Sequence, residues 1–275
     1  MWITNLISLC FGWAAAIRLP VVLRQPLIRF YAWCFKADLS LCSQPLAEYQ
    51  SLQQFFVRNL KDGCRSIGRG LLSPVDGKLR SFGDIENGQL EQVKGKDYQL
   101  KEFLQNDQYL SLFRDGQYFN LYLAPGDYHH VHMPVEGEII ACSYIPGVLL
   151  PVNDWSLRRV RGLFVRNERL VIYVKSELGL MALVMVGATN VGCMTISFDC
   201  WRTNFKPWQR IFNTLAPEHR NYSKAIHIQA GDRLGTFHLG STVVLLLQAG
   251  AVDLTRIKFS NLPSKIKYGE TLVEA

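Results

Sequence analysis

From Arg69 onward the chain alternates short apolar runs with turn residues: GQYFNLYLAP, VEGEIIACSY, RLVIYVKS, GLMALVMVGAT and STVVLLLQ. This succession constrains the fold more than any other feature. Short strands must pair to satisfy their backbone N–H and C=O groups, and runs joined by brief turns favour antiparallel neighbours. The last run is apolar from Val243 to Leu247 without alternation, the pattern of a strand buried in the core. Before residue 60 the pattern is helical instead. The expected class is α+β, with a helical, membrane-associating N-terminal segment followed by a mostly antiparallel β-sheet core. The division falls at 1–60 and 61–275. Within the sheet body, YQLKEFLQ at 98–105 predicts a helix, and the polar, basic stretch 202–225 predicts a long loop or lid.

A chain of 275 residues and formal charge +7 favours an anionic partner, which the charge alone leaves as nucleic acid, an acidic lipid surface or an acidic substrate. No recognised nucleic-acid motif accompanies the basic residues, so no nucleic acid is expected. The seven cysteines are scattered with no Cys-x-x-Cys pair. That spacing argues against a disulfide framework or a zinc ribbon and for a reducing compartment.

The first seventeen residues, MWITNLISLCFGWAAAI, carry no charge, yet they are too short and too interrupted for a spanning helix. They also lack the basic start of a secretory signal. Next, Arg18, Arg24, Arg29 and Lys36 alternate with apolar and aromatic residues, and Pro20 and Pro26 predict a break into short helices. Two readings stay open. Such helices suit a membrane interface, with Trp2 and Trp13 at the boundary and Arg18 and Arg24 near anionic headgroups. Alternatively, they pack on the protein's own core with their arginines solvated.

Three polar stations punctuate the strand body. In SPVDGKL (73–79), Asp76 before Gly77 is either plain turn chemistry or an acid. LAPGDYHHVHMP (123–134) gathers three of the six histidines, and on a strand His130 and His132 share one face while His129 takes the other. His130-x-His132 with Glu136 resembles the metal motif of cupin barrels, but the glycine spacing and a second His motif are missing, so no metal is expected. LGST (239–242) opens the last strand. A serine hydroxyl needs a base, and the base usually an acid to orient it. The three stations supply those parts. Gly240, having no side chain, would leave its carbonyl open to attack.

Taken together and in order, FFVRNLKDGCR, SPVDGKL, VKGKDYQL, APGDYHHVHMPVEGEI, FVRNERLV, VGATNVGCM and GDRLGTFHLGSTVV resemble the phosphatidylserine decarboxylases of the bacterial and mitochondrial type. The resemblance spans nearly the whole chain. It implies a proenzyme that cuts itself between Gly240 and Ser241 into a β chain of 1–240 and an α chain of 241–275, Ser241 becoming an N-terminal pyruvoyl group. It further implies Asp76 orienting His132, His132 acting as base on Ser241, and His129, with a near-neutral pKa, protonating the product. The substrate's amine would form a Schiff base with the pyruvoyl carbonyl, carbon dioxide would leave, and phosphatidylserine would become phosphatidylethanolamine without metal or pyridoxal phosphate. By the same resemblance, Lys94 and Tyr98 help shape the substrate site, although a solvent-facing turn fits them equally. The resemblance also puts Gly126 where a larger, often basic residue is common, and His130 receives no role; Thr242 either assists cleavage or simply starts a strand, and His238 either lines the site or caps a strand. The protein is expected to be a homodimer, attached peripherally to an anionic membrane containing phosphatidylserine, at the cytosolic face of the inner membrane.

Overall fold

The computed structural model describes residues 12–93, 96–189, 193–203, 215–238, 241–259 and 261–274, with the backbone alone for residues 93 and 241. Six helices are labelled: α1 (Val21–Phe35), α2 (Leu52–Phe56), α3 (Leu100–Leu104), α4 (Asp107–Phe113), α5 (Asp154–Arg159) and α6 (Leu163–Arg166). The strands are β1 (Leu71–Leu72), β2 (Gly77–Asp84), β3 (Gln89–Val93), β4 (Lys96–Gln99), β5 (Gln117–Leu123), β6 (His130–His132), β7 (Gly137–Ile145) and β8 (Arg169–Ser176). They continue as β9 (Gly179–Val186), β10 (Met194–Ile196), β11 (Glu218–Ile228), β12 (Arg233–Phe237), β13 (Ser241–Leu247), β14 (Ser264–Ile266) and β15 (Thr271–Val273). An eight-stranded sheet runs in the order β11-β7-β8-β9-β13-β5-β2-β14, and a three-stranded sheet runs β10-β12-β6. Every ladder between these strands is antiparallel, so the α+β class with a mainly β core is correct.

The unbroken apolar run of β13 is explained by its place between β5 and β9. Val243 through Leu247 are all fully buried. Each such side chain contributes about 1.5–3 kcal/mol through burial. The outer strand β11 differs: EHRNYSKAIHI is mostly exposed, and its register shifts between Asn221 and Ile226. Charge and an irregular ladder keep an edge from recruiting another strand. This corrects the loop expected over 202–225, since residues from Glu218 are strand. An edge strand with solvent on most sides lacks the apolar alternation by which strands are recognised. The expected helix at 98–105 starts only at Leu100, where β4 ends.

The N-terminal segment also departs from expectation. Pro20 caps α1, but the helix then runs through Pro26 without a break. Pro26 frees the carbonyl of Val22, whose residue is 81% exposed, so water can take the lost bond. The helix closes at Lys36, left-handed, whose N–H reaches the carbonyls of Ala32 and Trp33. Ile28, Tyr31 and Ala32 join the core with Phe55 and Phe56 of α2. Trp13, Ile17, Val22, Leu23, Phe30 and Trp33 face outward instead. Among the described residues no helix is long and apolar enough to cross a membrane.

Three neighbouring strands bring their ends together. Ser241 starts β13 opposite Leu123, the last residue of β5, and Lys78 of β2 pairs with Tyr122 on the far side of β5. Ser241 and Gly77 therefore lie two strand spacings apart across the sheet, roughly 10 Å. A β-carbon on Gly77 would collide with the Tyr122 carbonyl, so only glycine permits this approach just after Asp76. The small sheet closes over the same end: β12 stops at Phe237, whose N–H donates to the His129 carbonyl at 2.9 Å, four residues before Ser241.

Candidate active site

The turn after β5 is built by Asp127, whose Oδ2 accepts from the Ala124 N–H at 2.7 Å. It delivers Tyr128 and His129 to the sheet end, and β6 carries His130 to His132 beside β12. All three histidines are buried, each in a different way.

His129 packs on Phe56 with ring centroids 3.9 Å apart. Its Nδ1–H donates to the Asp127 carbonyl (2.8 Å), which fixes the tautomer and leaves Nε2 with a lone pair. That Nε2 is buried and has no hydrogen-bond partner among the described residues. Burial, aided by the Arg58 cation, pushes its pKa down to about 3. The near-neutral value expected for this ring is corrected: burial favours the neutral imidazole.

His132 is fully engaged. Its Nδ1–H donates to the Gly231 carbonyl (2.7 Å) and its Nε2 accepts from the Tyr128 hydroxyl (3.1 Å). Its ring stacks on that of Tyr268, centroids 3.9 Å apart and planes nearly parallel at 7°. Burial pushes its pKa down to about 4. Asp76 is close enough to act on this ring electrostatically, but its hydrogen bonds go elsewhere. It accepts from Arg65 Nη2 (2.6 Å) and Nε (3.3 Å), and from the Tyr268 N–H (2.9 Å). The expected acid-to-base contact is thus indirect. Tyr268 is the intermediary, its backbone on Asp76 and its ring on His132.

His130, given no role from the sequence, is a brace. Its Nε2–H donates to the Val57 carbonyl (3.1 Å) and its Nδ1 accepts from Thr236 Oγ1 (2.7 Å). Both its nitrogens and both of His132 are occupied by protein groups, while the exposed Glu136 pairs with His227. The cupin-like His130, His132, Glu136 trio is therefore not assembled, and among the described residues no cluster of three His, Cys, Asp or Glu could hold a metal.

Of the remaining site residues, Gly240 and Lys94 lie outside the described residues, as does the Ser241 side chain. Thr242 is buried, and its hydroxyl has no partner among the described residues. Tyr98 is in the core, edge-on to Phe103 and Phe164, instead of in a solvent-facing turn. Gly126 abuts the end of α1: a β-carbon there would meet the Phe35 carbonyl. Its own carbonyl accepts from Arg58 Nη2 (2.7 Å).

A buried base with an open nitrogen, a second one locked in a stack beside a paired carboxylate, and a serine at the head of a central strand converge at one sheet end. The family model for phosphatidylserine decarboxylase matches residues 52–274. This chain belongs to that family. As a phosphatidylserine decarboxylase family member it is a carboxy-lyase, and the similarity extends over most of its length. It is 39% identical to a phosphatidylserine decarboxylase proenzyme of Anaeromyxobacter sp. (strain K), covering 91% of this chain and 88% of the relative. It is 41% identical to the proenzyme of Legionella pneumophila (strain Corby), covering 87% and 83%. With the mitochondrial proenzyme 1 of Arabidopsis thaliana the identity is 33%, covering 88% and 64%.

Within this family frame, several residues at the site escaped sequence reasoning. Arg58 and Arg65 both sit in FFVRNLKDGCR, where a basic residue reads as solvated. Arg58 is instead buried, touching the His129 turn, and Arg65 is the buried partner of Asp76. Tyr268, far away in sequence, is brought to Asp76 because β14 pairs with β2. Only the pairing reveals it.

Proposed function

We propose that this chain is a self-processing, pyruvoyl-dependent decarboxylase that converts phosphatidylserine to phosphatidylethanolamine. The observation that carries the reading is the row Asp76–Gly77, Leu123, Ser241 across three strand ends, capped by His129 and the strand β6 that follows it. In the first reaction Ser241 Oγ attacks the Gly240 carbonyl, its proton passing to His132, and the acyl group shifts from nitrogen to oxygen. Breaking the Ser241 Cβ–Oγ bond with loss of the Cα proton releases the Gly240 carboxylate. Hydrolysis of the resulting enamine frees ammonia and leaves the pyruvoyl carbonyl. For His132 to serve as base, the Tyr128 hydroxyl must yield Nε2 or relay the proton. Asp76 and Tyr268 hold the ring in place meanwhile.

The site's own residues fit such a group. Thr242 Oγ1 and His129 Nε2 are buried polar atoms lacking partners among the described residues, each costing about 1–3 kcal/mol unless a ligand completes it. The pyruvoyl carbonyl supplies an electron sink by condensing with the substrate's amine. His129, neutral with Nε2 open, accepts a proton as the amine condenses and returns it at the carbon that lost carbon dioxide. The membrane-facing part of the reading rests on the outward apolar face of α1, with Trp13, Phe30 and Trp33 beside Arg18 and Arg29. Arg24 is not available to headgroups, because its guanidinium binds the Leu19 and Ala47 carbonyls.

Intact mass spectrometry of wild type and Ser241→Ala tests the whole reading. Wild type should split into two chains at 240/241 with a blocked smaller chain. The variant should stay whole, fold, and lack decarboxylation. An active uncut wild type would overturn the proposal.

A further inference from the structure

A third exposed tryptophan lies far from Trp13 and Trp33 in sequence. Trp155, on α5, is 61% exposed, although the same helix buries Ser156 and Leu157. Asn153 caps the helix by accepting from the Ser156 N–H at 2.9 Å. Its outward face is Trp155, Arg158 and Arg159, with exposed Arg161 just beyond. The Arg159 guanidinium lies 4.5 Å over the Trp155 ring and props it toward solvent. The nearest acid, Asp154, is already paired with Arg80. An indole amid three exposed arginines puts an aromatic ring and a cluster of positive charge on one surface. It matches the headgroup layer of an anionic bilayer, where indole sits at the boundary and guanidinium meets phosphate.

The position supports this. Arg80, besides pairing Asp154, stacks 4.3 Å over Tyr122, the residue in register with Thr242. The helix α1 touches the turn after the same strand: Tyr31 donates to the Pro125 carbonyl (2.7 Å), and Phe35 abuts Gly126. Both helices thus connect to the end of β5, opposite which Ser241 begins β13.

We infer that the α5 face, Trp155 with Arg158, Arg159 and Arg161, is a second contact with an anionic phospholipid bilayer, seating the reacting end beside α1. The inference rests on the proposed membrane-lipid substrate and adds a second foothold to it. The test compares the full-length protein with W155A/R158A/R159A by flotation on phosphatidylglycerol-containing and on pure phosphatidylcholine vesicles. Each basic side chain near an anionic surface adds roughly fivefold to binding. Removing two, with the indole, should therefore lower partition onto the anionic vesicles by roughly 25-fold or more, a far larger loss than on the neutral ones. Lipids brominated in the acyl chain should quench the part of the fluorescence that W155F lacks. Self-cleavage and turnover of detergent-dispersed phosphatidylserine should stay at the parent level, while turnover in vesicles drops. Unchanged partition of the triple variant, an unquenched Trp155, or loss of self-association without loss of vesicle binding would overturn the inference and spare the decarboxylase reading. Failure of the parent protein itself to float with anionic vesicles would instead remove the membrane reading on which this one stands.

Discussion

The surroundings of His129 and His132 are assembled from opposite ends of the chain. His129 is packed by Phe56 and biased by Arg58, in a turn pressed against Phe35 at the end of α1. His132 is stacked on Tyr268 and anchored to Gly231, and Asp76 beside it is gripped by Arg65 and Tyr268. The first keeps one nitrogen open, and the second has none to spare. The difference suits two tasks under the proposed function. A reaction performed once on the protein's own backbone gains from a base that is already held in position. Repeated turnover of a visiting molecule needs an atom left unsatisfied until that molecule arrives.

The sharpest way to break this contrast is to exchange the two losses. His132→Ala should abolish self-cleavage, giving a single uncut chain by mass spectrometry. His129→Ala should still cleave but lose about 10²–10⁴-fold in turnover, the usual range for a missing general acid or base. An uncleaved His129 variant, or a cleaved His132 variant, would erase the division of roles.

Next in size is a pH effect the two histidines share. Burial holds His129 and His130 at about 3, and His132 and His238 at about 4, in the folded protein. The unfolded chain, with histidines near the ordinary ~6.5, binds more protons between that value and the folded ones. Stability is therefore complete above pH ~6.5 and is lost as the pH falls through the window toward 3–4. Each histidine contributes at most ~1.4 kcal/mol per pH unit. Urea midpoints should stay level from pH 7.5 to about 6.5 and then fall toward pH 4.5, and His130→Asn should lessen the fall. A flat profile would mean that the cluster opens to water.

The smallest expected effect separates Tyr268's ring from its backbone. Tyr268→Phe keeps the stack on His132 and the N–H on Asp76, so cleavage should proceed at nearly the parent rate. Tyr268→Leu loses the ring, and an aromatic pair is worth about 0.5–1.5 kcal/mol. Cleavage should slow by roughly 2–13-fold while decarboxylation by the matured fraction is unchanged. Equal slowing of both activities would place Tyr268 in general packing.

Much of this was legible because local chemistry and tertiary place agree. Val243 to Leu247 reads as a buried strand and is one, since no polar side chain competes with burial there. His130 and His132 do lie on one short strand, whereas His129 stands just before it, in the turn that ends β5. What escaped depends on registers between distant segments. Nothing near Asp76 announces that Tyr268 arrives through β14, and nothing near Arg58 says that the His129 turn will cover it. Pro26 misled because its cost depends on whether the freed carbonyl meets water. The polar strand β11 misled because an edge has no second neighbour to demand apolar residues.

The place of β13 in the sheet has one more consequence. A cut before Ser241 would turn one polypeptide into two without freeing either. The 35-residue piece would supply a middle strand of the large sheet as well as β14 and β15, each laid against a strand of the longer piece. Such a pair shares one hydrophobic core, so it melts in a single transition and cannot swap partners while native. Once the halves are pulled apart and the scissile bond is gone, no linkage remains to bring them back, and maturation becomes a one-way commitment of the molecule to its folded form.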